Sequence, residues 1–110
     1  MKQNDLVLSE APQELATLIL TQSGAVVSRA LINKPSGTVT LFAFDTGEGL
    51  SEHTAPYDAL VYILEGEADI RIAAQEHVVG IGSVILLPAN IPHALFARVP
   101  FKMLLTMIRA

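Results

Sequence analysis

The spacing of apolar and polar side chains divides most of this chain into short β-strands. The clearest alternation sets Ala68, Ile70 and Ile72 against Asp69 and Arg71, a period of two with one face toward a core and one toward water. Two other runs, Val39 to Phe44 and Phe101 to Ile108, are apolar on both parities apart from Thr40, Lys102 and Thr106. A strand that is apolar on both faces is usually covered on both. In so small a domain the second cover is expected to be a partner subunit, which makes the chain a homodimer. Turn signals arrive at short intervals, at Pro35-Ser36-Gly37, Gly47-Glu48-Gly49, Glu65-Gly66-Glu67, Gly80-Ile81-Gly82, Pro88 to Pro92 and Val99-Pro100. Short strands punctuated by Gly and Pro at this spacing predict an all-β sandwich or barrel.

Residues 5–20 read two ways. Ser9-Glu10-Ala11-Pro12 can open a short helix, with Ser9 as its cap and acidic residues in the first turn. Leu18-Ile19-Leu20 reads equally well as an edge strand. No repeat, low-complexity segment or linker interrupts the sequence, so residues 1–110 are expected to form one domain, with an N-terminal extension over about residues 1–24.

Composition narrows the possible functions. Hydrophobic residues make up 51% of the chain and charged ones 16%, which is too apolar for a disordered role. Seven Lys and Arg against eleven Asp and Glu give a net charge of −4, with no basic cluster to neutralise phosphates, so nucleic acid is not an expected partner. No apolar stretch approaches the roughly 18 residues of a membrane-spanning helix, and the first residues lack the pattern of a secretory signal. The cytoplasm is the expected location. With no cysteine there is no disulfide, thiolate metal site or Cys nucleophile. Neither a phosphate-binding Gly-rich loop nor a Gly-x-Ser-x-Gly elbow is present.

Two spaced segments carry the candidate chemistry. The first runs from Gly47 through His53, Ala55 and Ala59 to Gly66, and resembles the first cupin motif: Gly, five residues, His-x-His, three or four residues, Glu, six residues, Gly. The second runs from Gly82 through Pro88 and Asn90 to His93, and resembles the second motif: Gly, five residues, Pro-x-Gly, two residues, His. With its flanking strands the resemblance covers about residues 36–108, and it implies a small double-stranded β-helix barrel of the jelly-roll kind, often dimeric. In that family the paired His, the Glu and the last His typically hold a divalent metal. Here the second His position is Ala55, the Glu position is Ala59, Asn90 stands for the second Gly, and Ala97 stands where a final Asn is usual.

Those departures change the expected chemistry. His53 and His93 remain as metal ligands by resemblance, and two neutral imidazoles supply neither the number nor the charge of a tight divalent site. The expected cofactor is therefore none, or one weakly bound divalent metal, with Asp58 or Glu52 as the carboxylates able to complete it. On strand parity His53, Ala55, Tyr57, Ala59 and Val61 share a side. If that side faces the barrel interior, the two alanines leave space where ligands would be. His53, His93, Tyr57, Phe42, Phe44 and Met103 are the expected pocket residues, whereas His77 lies outside both motifs and reads as structural. The leading function is binding or sensing of a small organic ligand in this metal-poor pocket. The alternative is a cupin enzyme, either metal-dependent (a dioxygenase or isomerase) or using His53 or His93 as base and Tyr57 as acid.

Overall fold

A computed structural model describes residues 2–5 and 8–109 of the chain. Among the described residues ten strands follow one another: β1 (Lys2–Asp5), β2 (Val26–Lys34), β3 (Gly37–Phe44), β4 (Gly49–His53), β5 (Asp58–Glu65), β6 (Glu67–Ile72), β7 (Gln75–Gly80), β8 (Val84–Leu87), β9 (His93–Phe96) and β10 (Phe101–Ile108). They form a six-stranded sheet in the order β1-β2-β3-β10-β5-β8 and a four-stranded sheet in the order β4-β9-β6-β7. Every pairing is antiparallel except β1 with β2. The six turn signals of the sequence fall between consecutive strands, and the all-β barrel they predict is the observed fold.

The two sheets enclose one core. Its members alternate along their strands: Phe42 and Phe44 on β3, Ala59, Val61 and Ile63 on β5, Ala68 and Ile70 on β6, Phe101 and Met103 on β10. Phe44 stacks on Phe101 with ring centroids 4.3 Å apart, and Phe42 lies 6.0 Å from Phe44. Gly66 turns β5 into β6 at φ +73°, a left-handed conformation that glycine adopts without penalty.

The outer face of the large sheet is covered differently from the sequence-based expectation. Val27, Leu41 and Ala43 form a second cluster with Ile19, and Leu15, Leu18, Leu64 and Leu104 pack against it. Over this half of the face the second cover is the chain's own N-terminal segment and not a partner subunit. Lys102, one of the polar interruptions of β10, fastens the segment: its Nζ donates to the carbonyl of Ala16 (2.9 Å) and lies 3.4 Å from Glu65. The segment contains one 3₁₀ turn, Leu15–Leu18, with no side-chain cap. Ser9 is therefore not a helix cap. Its hydroxyl accepts from the Ala11 N–H (3.0 Å) within a local turn, and Leu18 to Leu20 are not a strand. Among the described residues no helix is long and apolar enough to cross a membrane.

Candidate functional site

Register decides which end of the barrel is hollow. Ala59 on β5 lies opposite Met107 of β10 on one side and Leu87 of β8 on the other. One methyl group between those two side chains leaves a gap. A cavity of about 60 Å³ opens there, lined by His53, Ala55, Tyr57, Ala59, Leu87 and His93, with Leu50, Leu95, Met103, Leu105 and Met107 completing its walls. Phe42 and Phe44 are not in those walls. They belong to the core, where Phe44 pairs with Phe101 at the far end of β10.

Two strand ends bring the histidines together. His53 closes β4, His93 opens β9, and the two are register partners. The turn before His93 depends on Asn90, at φ +65°, whose N–H donates to the carbonyl of Ala55 (2.7 Å) and so clips one motif to the other. Asn tolerates this left-handed conformation better than most residues, so it can stand at the glycine position. His93 is nearly buried (6% exposed), whereas His53 is exposed.

Their nitrogens face each other, with Nε2 of His93 3.2 Å from Nε2 of His53 and the rings at 70°. Nδ1 of His53 lies 2.8 Å from the Ser51 carbonyl. A carbonyl only accepts, so Nδ1 of His53 carries the proton and its Nε2 is left as an acceptor. The corresponding contact of His93, Nδ1 to the Ile91 carbonyl, is longer at 3.3 Å. These distances assign the neutral pair one shared proton, donated by Nε2 of His93 to Nε2 of His53. Burial, and then the neighbouring His53, hold the pKa of His93 below the ordinary imidazole range, opposed in part by the Ile91 carbonyl.

A divalent ion requires more donors than this. An N···N separation of 3.2 Å suits two neighbouring ligands at bond lengths of about 2.0–2.1 Å. The two other family positions present only the methyl groups of Ala55 and Ala59. Neither substitute carboxylate turns inward: Asp58 accepts from the Ala89 N–H (2.8 Å), and Glu52 pairs with Arg71 (3.3 Å) on the surface. Among the described residues no group of three or more His, Cys, Asp or Glu is placed to hold a metal. His77 lies opposite Ile70 on β7 and takes no part in the cavity. Sequence reasoning left Leu50, Leu87, Leu95 and Leu105 out of the pocket. For Leu105 the signal was present, since it shares the parity of Met103 and Met107 on one strand.

Known proteins similar to this chain agree with the architecture. A profile of the cupin domain matches residues 40–108. A conserved protein of unknown function from Streptococcus pyogenes is 32% identical, with a TM-score of 0.90 over 100% of this chain and 96% of its own. A cupin superfamily protein from Desulfitobacterium hafniense is 34% identical, with a TM-score of 0.89 over 94% of this chain and 95% of its own. A cupin 2 conserved barrel domain protein from Leptotrichia buccalis is 42% identical, with a TM-score of 0.84 over 86% of this chain. This chain spans only 46% of that protein's length. No curated protein matches the sequence.

Proposed function

The chain belongs to the cupin family, and from that premise we propose that its barrel is a binding module for a small organic ligand, held without a resident metal. The observation that carries this reading is the cavity itself, with mostly apolar walls and three polar residues in its lining, His53, His93 and Tyr57. Ligand pockets commonly combine an apolar lining with a few polar groups that fix orientation. The alanines at positions 55 and 59 take away the ligands of a tight metal site and supply the room in its place.

Size limits the ligand. At about 60 Å³ the cavity is less than half the ~150 Å³ that holds a benzene ring. An aromatic or a sugar requires the walls to move, whereas an acid, alcohol or amine with two to four carbons enters with its chain among Met103, Leu105 and Met107. Its polar group then meets the imidazole pair, which offers one exchangeable proton and one acceptor.

Ring-proton and ¹⁵N resonances of His53 and His93 provide the test. In a titration with short aliphatic acids, alcohols and amines, one class is expected to shift both imidazoles saturably and raise the melting temperature. The His53→Ala and His93→Ala variants should lose that response. Imidazole resonances unmoved by every member of the series would reject the reading.

A further inference from the structure

A hollow of about 260 Å³, several times the volume of the barrel cavity, lies on the outside of the small sheet. Two cross-strand rows form its walls. In one, Phe96 on β9 pairs with Asp69 on β6, and Asp69 with Val78 on β7. In the next, Ala94, Arg71 and Glu76 follow in the same order. Residues paired directly across antiparallel strands share a face, and this face turns away from Ile70 and Leu95 of the barrel interior. Ala94 contributes only a methyl group, which leaves depth beside Phe96. Phe96 is 48% exposed, and its partner on β4, Gly49, has no side chain to lay over the ring. Charge on this face is unevenly matched. Both guanidiniums are engaged: Arg71 lies 3.3 Å from Glu52, and Arg98 lies 3.1 Å from Asp69 and 3.5 Å from Glu67. The Glu76 carboxylate has no ion pair among the described residues, so the face sets four carboxylates against two guanidiniums.

We propose that this hollow is a docking site for an arginine of another polypeptide, its guanidinium seated between Glu76 and Asp69 and against the ring of Phe96. Three features choose that occupant. The first is charge: the free carboxylate of Glu76 calls for a cation, and the chain's net charge of −4 draws cations toward it. The second is shape. Glu76 and Asp69 are diagonal neighbours across the β6–β7 ladder, with Cβ atoms about 7–8 Å apart. A planar fork of N–H donors can reach both carboxylates while stacking on an aromatic face, which a compact ammonium does less well. Asp69, although bound by Arg98, keeps lone pairs free to accept again. The third is access for a main chain. β7 is the outermost strand of the small sheet, with no neighbour beyond it among the described residues. An extended segment can therefore run alongside β7 and send a long side chain across the exposed Val78 into the hollow.

Titration of the ¹⁵N-labelled full chain tests the proposal, with an acetylated, amidated pentapeptide that carries arginine at its centre and threonine around it. Saturable shifts are expected at the amides of Ala94, Phe96 and Glu76 and along β7. The same peptide with citrulline in place of arginine keeps the shape without the charge, and should bind at least about tenfold more weakly. Methylguanidinium chloride supplies the charge without a main chain, and should also bind at least about tenfold more weakly. Glu76→Gln, at an exposed position that the fold does not depend on, should weaken the arginine peptide about fivefold. Glu10→Gln removes the same charge from the exposed N-terminal segment and should change nothing. Neither His53 nor His93 lines this hollow, so the outcome is independent of any ligand in the barrel. Absence of saturable shifts, shifts centred elsewhere, or an affinity indifferent to Glu76→Gln or to citrulline overturns the proposal. Equal binding of methylguanidinium and the peptide would make the hollow a small-cation site and overturn it as a docking site.

Discussion

Nε2 of His93 and Nε2 of His53 lie 3.2 Å apart on neighbouring strands, and Ala55 and Ala59 line the same cavity. The arrangement supplies two imidazoles and no third donor of the His, Cys, Asp or Glu kind among the described residues. Its two imidazoles are already set at the separation of neighbouring ligands, and what is missing is number and charge.

Restoring both should therefore create a site. Ala55→His combined with Ala59→Glu adds an imidazole and a carboxylate at residues that line the same cavity. The double variant is expected to bind one manganese, nickel or zinc ion per chain about a hundredfold or more tighter than the wild type. Calorimetric titration measures this directly. Equal affinities in the two proteins would mean that positions 55 and 59 do not converge on the histidines.

The burial of His93, with His53 beside it, also makes stability depend on pH. In the folded chain the pKa of His93 lies below its unfolded value of 6.5, so the unfolded chain takes up the proton first as pH falls. The stabilisation is complete above about pH 6.5 and is lost as pH drops through the folded-state value. Denaturant midpoints measured between pH 8 and pH 5 should fall with acid in the wild type, and fall less in His93→Gln. A midpoint independent of pH in that range would place His93 in an environment no different from water.

The strands were legible because the signals that end them are chemical. Pro35, Gly47, Gly66, Gly82, Pro88 and Pro100 each fall in or beside an observed turn. The turn joining β6 to β7 carries no such signal, since it uses Ala73 at φ +54°, held by the Pro92 carbonyl that accepts its N–H (2.8 Å). Only tertiary contact fixes it. The same limit applies to the cavity. His53 and His93 follow from the resemblance to the two motifs, and parity along a strand, which tells inside from outside, sets Tyr57 on the side of His53. Parity does not tell one end of a barrel from the other, so Phe42 and Phe44 were named with them. The cover over Leu41 and Ala43 comes from Ile19 and the short 3₁₀ turn before it, Leu15–Leu18, too brief for any hydrophobic period.

Gly66 is where the family motif and the fold make the same demand. A Cβ at this position would run into the carbonyl of Pro100 and crowd Phe101, in a backbone conformation that disfavours side chains in any case. Gly66→Ala is expected to cost about 2 kcal/mol or more, because strain and collision act together. Chemical denaturation reads the loss. A variant as stable as the wild type would require the β5–β6 and β9–β10 connections to separate without penalty.

A cavity kept open for a ligand costs stability, because its walls lack contacts on one side. Ala59 is buried at the centre of that loss, between Met107 and Leu87. Ala59→Val adds two methyl groups into the gap at a position where a β-branched residue suits the strand. If the space exists for binding and not for folding, the variant should gain about 0.5–2 kcal/mol in stability. It should also lose the small-ligand response of the imidazoles, although His53 and His93 are untouched. A pure packing position would give the gain alone, and an overpacked one would give neither. Stability rising while binding disappears is the combination that identifies the hollow as the working part of the barrel.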